Sequence, residues 1–259
     1  MATPISSQTS AAVSAVKDDK GLRAGDLVTV FGGSGFVGRY LVRALAAQGY
    51  RVRVAVRRPN EALFLRPMGD VGQVQPVQAN IKDAGSCARA MEGAKAVVNL
   101  VGILNETGTQ SFDELQSMGA GRLAKLAAEA GITRFVQMSA IGADADSASA
   151  YARTKGEGEA AAMSMLPTAM IVRPSIIFGP EDAFFNRFAA MATIAPALPL
   201  IGGGKTLYQP VYVKDVAKAI TLMLGSAAFA GKTLELGGPE TESFRDLMAM
   251  VLDITARRK

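Results

Sequence analysis

Leu27-Val28-Thr29-Val30-Phe31-Gly32-Gly33-Ser34-Gly35-Phe36-Val37-Gly38 decides how the rest of this chain is read. The first five residues are a short apolar run with β-branched side chains, which predicts a buried strand; the glycines predict a tight turn. From Phe36 the apolar residues recur at helical spacing. In a strand–turn–helix of this kind Gly32 lets the chain turn, Gly35 lets the backbone approach a ligand, and Gly38 lets the helix pack close to the strand. The tip formed by Ser34, Gly35, Phe36 and Val37 would present open N–H groups and the positive end of the helix dipole. That arrangement suits the pyrophosphate of a dinucleotide.

Working outward, the helix predicted over 36–48 puts Phe36, Val37, Tyr40, Leu41, Ala44 and Leu45 on one stripe, with Gly49 as its stop. Short apolar runs then alternate with helical segments. Strands are predicted at Leu27–Phe31, Arg51–Val56, Val74–Gln78, 96–101, 135–138 and 169–172, and helices over 36–48, Ala84–Met91, 112–130 and 150–164. This alternation is that of an α/β chain, a Rossmann-type doubly wound parallel sheet covered on both faces. After Pro174 the pattern loosens: Pro180, Pro196, Pro199 and Gly202-Gly203-Gly204 mark loops around a Met- and Ala-rich segment. A strand leading into a helix over 212–226, a strand at Thr233–Leu236 and a helix over Phe244–Ile254 complete the expectation. The domain reading is a flexible tail over 1–26, a dinucleotide-binding core over 27–174, and a small lobe over 175–259 for substrate or partner, containing the returning strand.

Composition narrows the chemistry. With 259 residues, 49% hydrophobic and 20% charged, the chain can bury a large core. It contains no histidine, which removes Ser-His-Asp catalysis and His-ligated metal sites, and its one cysteine, Cys87, has no partner for a disulfide and no metal-ligand spacing around it. No metal is therefore expected, and proton transfer falls to Tyr, Lys or a carboxylate. The formal charge of +5 is spread along the sequence, so no nucleic-acid module is read. The longest apolar stretch, 94–104, is interrupted by Lys95 and Asn99 and falls short of the roughly 20 residues of a membrane span. A reducing compartment is expected: a bacterial cytoplasm, with a peripheral place on the inner membrane open, or alternatively the mitochondrial matrix.

Two further motifs carry function. After the second strand, where an NAD-specific protein would place Asp or Glu, the sequence reads Val56-Arg57-Arg58-Pro59, so Arg57 and Arg58 favour the 2′-phosphate of NADP(H) over NAD(H). Tyr151 and Lys155 stand one helical turn apart, on one face of a helix. A neighbouring ammonium is expected to lower the tyrosine pKa and make it a usable acid or base, while Lys155 can also hold a ribose. Ser139, at the end of the preceding strand, is placed to hydrogen-bond a substrate oxygen.

Together these residues resemble the short-chain dehydrogenase/reductase superfamily, in its extended or atypical branch, over Leu27 to about Gly238. The resemblance implies that Asn80 and Ile81 flank the adenine and that Val101, Gly102 and Ile103 line the cofactor. It further implies that Ser139, Tyr151 and Lys155 form a catalytic triad. The segment Arg173-Pro174-Ser175-Ile176-Ile177-Phe178-Gly179-Pro180, with Pro174 and Ile177, would close over the nicotinamide end. Val98-Asn99-Leu100-Val101-Gly102-Ile103-Leu104, Ser139-Ala140-Ile141-Gly142-Ala143 and Phe178-Gly179-Pro180-Glu181-Asp182 also resemble the dehydrogenase-like accessory subunit of respiratory complex I and its alphaproteobacterial relatives. In that group the resemblance implies a tightly held NADPH with a structural role. Ile176 replaces an asparagine common in sugar-nucleotide epimerases, so a nucleotide-sugar substrate is not expected. The chain ends earlier than the family usually does, which suggests a small lobe incomplete at its C-terminus.

Three functions follow as alternatives: an accessory or assembly protein that docks on complex I subunits at a membrane surface, an active NADP-dependent reductase, epimerase or dehydratase, and a redox-sensing binder. Phe184, Phe185 and Phe188 suit either core packing or a docking patch.

Overall fold

The computed structural model describes residues 21–257. Seven parallel strands form the sheet, in the order β10-β6-β5-β4-β1-β2-β3: β1 Leu27–Phe31, β2 Arg51–Val56, β3 Val74–Gln78, β4 Ala96–Asn99, β5 Arg134–Met138, β6 Met170–Pro174 and β10 Thr233–Leu236. Strands β1 and β5 are buried along their whole length, as expected of strands covered on both faces. The strand order reverses between β1 and β4. In open sheets of this class the crevice beyond the carboxyl ends at that reversal takes the ligand.

Helices α1 Phe36–Ala47 and α6 Val213–Gly225 cover one face, joining Leu41, Val42 and Leu45 to Val216, Ile220 and Leu224. The other face is covered by α2 Ala84–Met91, α3 Gly119–Glu129 and α4 Ala150–Met165, through Met91, Leu123, Ala127 and Ala162. A lobe beside the sheet's carboxyl edge contains α5 Phe185–Ile194, α7 Phe244–Ile254 and two small sheets. In one, β7 Ile177–Phe178 pairs parallel with β9 Val211–Tyr212; in the other, β8 Leu207–Tyr208 pairs antiparallel with β11 Glu242–Ser243. Phe184, Phe185, Phe188 and Phe244 stack edge-on in its core with Tyr208 tilted against them, so the aromatic cluster is packing rather than a patch.

Several local expectations need correction. The buried stripe of α1 is Gly38, Leu41, Val42, Leu45 and Ala46, turned from the predicted one because α6 as well as the sheet packs on it. The predicted helix over 112–130 begins as a π-helical stretch, Asp113–Met118, before α3. Strand β4 ends at Asn99, whose side-chain Oδ1 accepts the Val101 N–H and draws the chain out of the sheet. A 3-10 stretch over Pro59–Met68 was not foreseen. Of the predicted tail, residues 1–20 lie outside the described residues; Gly25 donates its N–H to Gly49 O at 2.8 Å, and Leu22 packs on the core.

Candidate dinucleotide-binding and active site

The turn after β1 is built by exclusion of side chains. Gly32 has φ +76°, and a Cβ there would meet the Leu100–Val101 backbone at 3.1–3.3 Å. A Cβ on Gly38 would lie 2.5 Å from Gly32 O and from the Gly33 backbone, so at Gly38 α1 rests directly on the turn. The Gly35 N–H is already given to Gly32 O at 3.0 Å. The open donors at the tip are therefore the next amides, those of Phe36, Val37 and Gly38, for no side chain caps α1. By contrast Asp83, Ser149 and Ser243 cap α2, α4 and α7.

Two cavities open at the carboxyl edge. The first, about 330 Å³, is lined by Gly32, Ser34, Gly35, Arg57, Asn80, Ile81, Val101, Gly102 and Ile103. The second, about 750 Å³, is lined by Phe36, Ser139, Tyr151, Lys155, Pro174 and Ile177. They adjoin at Gly102, where a Cβ would stand 3.3 Å from Lys155 Nζ. One elongated ligand can thus run past the glycine turn from one cavity into the other. Among the sequence-predicted residues, Val37 packs its side chain into the core and contributes only its backbone, and Gly38 acts by closeness. Arg58 is not brought to the site: its Nη1 reaches out to Glu61 Oε1 at 2.9 Å on the surface. Lys82, Thr109 and Gln110 also line the first cavity, with the Lys82 ammonium donating to Thr109 O, and were not anticipated. The signal for Lys82 was its place directly after Asn80 and Ile81 at the end of β3.

In the second cavity Ser139 is buried, and its Oγ has no hydrogen-bond partner among the described residues. An orphaned hydroxyl in a cavity wall is the natural partner of a ligand oxygen. Lys155 Nζ donates to Met138 O at 3.3 Å and lies 5.9 Å from the Tyr151 ring centroid. Burial holds the Lys155 ammonium down to about 8, partly offset by the Glu159 carboxylate. Burial also raises the Tyr151 pKa, which reverses the sequence expectation: desolvation of the phenolate is what moves it. Ser149 caps the helix carrying both residues, and Phe112 meets the Tyr151 ring edge-on at 5.9 Å.

A pH effect follows from Lys155. Between about pH 8 and its ordinary value of 10.5 the unfolded chain holds a proton on this lysine that the folded chain has released. Stability contributed by this group therefore rises with pH across that window, and the burial penalty is fully present below it. Lys155→Met is expected to remove this rise, measured as the difference in denaturant midpoint between pH 8 and 10 for the two proteins.

The site is clasped from outside. Tyr40 Oη on α1 donates to Glu181 Oε2 at 2.6 Å, and Arg39 lies 3.5 Å from the same carboxylate. This ties the segment after β7 to the helix whose tip faces the dinucleotide side. Beneath the site, Glu159 of α4 is buried and takes a forked bond from Arg173 of β6, at 2.9 and 2.7 Å.

Among the described residues no helix is long and apolar enough to cross a membrane. Over 89% of its length the chain is 41% identical to NADH dehydrogenase [ubiquinone] 1 alpha subcomplex subunit 9, mitochondrial, of Arabidopsis thaliana, and covers 58% of that protein. It is 33% identical, over 74% of its length, to a ceramide reductase of Caulobacter vibrioides, again covering 58% of the relative. The chain thus spans little more than half the length of either protein. Its fold matches a dTDP-glucose 4,6-dehydratase of Streptomyces venezuelae solved with NAD, with a TM-score of 0.75 and 25% identity over 89% of this chain and 81% of that one. The glycine turn, the strand reversal and, but for Thr241, the lining of the two adjoining cavities fall within residues 28–237, which match the family model described as NAD dependent epimerase/dehydratase family, and the chain belongs to that family.

Proposed function

We propose that this chain holds NADP(H) in preference to NAD(H) and serves as an accessory subunit of respiratory complex I. The observation that carries the first part is the pair of cavities adjoining at Gly102, with the open α1 tip at one and Arg57 in the wall of the other. In this reading the amides of Phe36, Val37 and Gly38 receive the pyrophosphate, Asn80 and Ile81 flank the adenine, and Val101, Gly102 and Ile103 line the path between. Pro174 and Ile177 close the nicotinamide end, and Lys155 holds its ribose. Arg57 receives the 2′-phosphate, and Lys82 lines the same cavity. When bound, the nicotinamide supplies a hydride donor or acceptor. The accessory role is supported by the relatives named as mitochondrial complex I subunits from Arabidopsis thaliana, Mus musculus and Neurospora crassa, at 41%, 35% and 33% identity. Those names are in keeping with the matrix side of an energy-transducing membrane, or its bacterial cytoplasmic equivalent.

Arg57→Ala is expected to weaken NADPH binding by about tenfold to a hundredfold, the loss of one charge-assisted phosphate contact, and to leave NADH nearly unchanged. Arg58→Ala should change neither. Calorimetric titration of both nucleotides decides it, and equal losses for both would remove the 2′-phosphate reading. For the accessory role, the protein should co-migrate with complex I activity when detergent extracts of the native membrane are fractionated. Migration elsewhere would overturn it.

A second reading, an active NADP-dependent oxidoreductase, epimerase or dehydratase, is favoured by one specific observation: Ser139, Tyr151 and Lys155 line one cavity, and the Ser139 hydroxyl is without a partner there. Tyr151, kept protonated by burial, is suited to give a proton to a carbonyl oxygen.

A further inference from the structure

We propose that the larger cavity is a binding site for an uncharged, long-chain molecule whose head carries a carbonyl or hydroxyl oxygen. The inference rests on the oxidoreductase reading of the same cavity and names what that cavity accepts.

The cavity is graded from polar floor to apolar mouth. At the floor stand Met138, Ser139 and Lys155, all buried, with Tyr151 beside them. Ser139 Oγ and the Tyr151 hydroxyl are the groups there suited to a head oxygen, since the Lys155 ammonium is turned to Met138 O and to the Gly102 side. The walls above are Ile176, Ile177, Phe184 and Pro174. At the mouth Leu104, Ile141 and Leu207 are 69%, 44% and 66% exposed, an apolar stretch of a rim that Gln209 and Thr241 complete.

Charge decides the class of occupant. Among the described lining residues Lys155 alone is charged, and it lies on the dinucleotide side. A diphosphate-bearing ligand needs cationic or multiple N–H partners to replace its hydration; away from the Phe36 end, which the dinucleotide takes in this reading, the walls offer neutral side chains, chiefly aliphatic and aromatic carbon with Ser175, Tyr208, Gln209 and Thr241 among them. An alkyl chain loses only water against such walls, so every buried methylene favours binding, while one hydroxyl pair at the floor fixes its orientation.

The test uses the full chain, with and without saturating NADPH, titrated calorimetrically with 2-pentanone, 2-octanone and 2-undecanone, and with UDP-glucose as the charged comparison. Affinity should tighten by about fourfold per added methylene until the mouth is passed, with a negative heat-capacity change. Leu207→Asp, at an exposed rim position where folding is not at stake, should flatten the dependence on length, with an unchanged thermal midpoint showing the fold intact. Ser139→Ala should narrow the preference for 2-undecanone over undecane several-fold. Saturable, length-dependent binding of ketones without any binding of NADPH would support this site and overturn only the dinucleotide reading. If NADPH binds and no ketone does, or if UDP-glucose binds more tightly than every ketone, the proposal is overturned.

Discussion

Gly38→Ala is expected to abolish retention of a nicotinamide dinucleotide and to lower the stability of the chain by about 1–3 kcal/mol. The added carbon would stand 2.5 Å from Gly32 O and from the carbonyl carbon and Cα of Gly33. All three are backbone atoms, so no rotamer change relieves the clash, and α1 must lift from the turn. Lifting it carries the amides of Phe36 and Val37 out of line with the ligand. Each charge-assisted bond is worth roughly 1.5–3 kcal/mol, so misaligning two of them weakens binding by about a hundredfold or more. Gly35→Ala is the informative control: its Cβ would meet Gly32 O at 3.3 Å with φ at −74°, a far milder intrusion. Calorimetric titration of both variants with NADPH, beside their denaturant midpoints, checks the result. Undiminished affinity in Gly38→Ala would remove the α1 tip from the binding account.

The second large effect is expected from Arg173→Met. The Glu159 side chain is only 7% exposed, and its two oxygens are both taken by Arg173. Stripping the guanidinium leaves a buried carboxylate without its partner, which costs about 3–5 kcal/mol in fully buried pairs. Arg173 is 27% exposed and water can reach the gap, so roughly 2–3 kcal/mol is expected here. Glu159 lies one turn beyond Lys155 on α4, so the change should also loosen the seating of Tyr151 and Lys155. Adding Glu159→Met should recover most of the loss, because two apolar side chains of similar volume bury no unpaired charge. Denaturant midpoints of the single and double variants test this. A double variant as unstable as the single one would mean that the loss is packing, not charge.

What the sequence disclosed, and what it concealed, divides along the range of the interactions involved. The β1 strand, the glycine turn and the start of α1 were legible because each depends on neighbours within a few residues. Strands β2, β3 and β10 and helices α2 and α7 were bounded in the same way by local signals. Ser139, Tyr151 and Lys155 line one cavity because a strand end and the following helix face carry them, which their spacing alone makes legible. Arg58 was misplaced because the direction of its side chain depends on Glu61, which a motif does not weigh. The α1 stripe shifted through Val42 and Ala46 because α6, far along the sequence, covers that side. The Tyr151 shift was reversed because burial by surrounding chain is invisible in a spacing of four residues. Lys82, Thr109 and Gln110 were missed for a related reason: a loop after β4 folds back over the end of β3.

The returning strand β10 carries a consequence for how the protein is made. It pairs with β6, yet β7, α5, β8, β9 and α6 are all translated between them. A nascent chain that has just emitted β6 exposes a row of unsatisfied amides and carbonyls along that strand until Thr233–Leu236 leaves the ribosome. Parallel pairing across such a long intervening stretch closes slowly. The emerging polypeptide therefore spends its most aggregation-prone interval late in synthesis, when a holdase chaperone would protect it best.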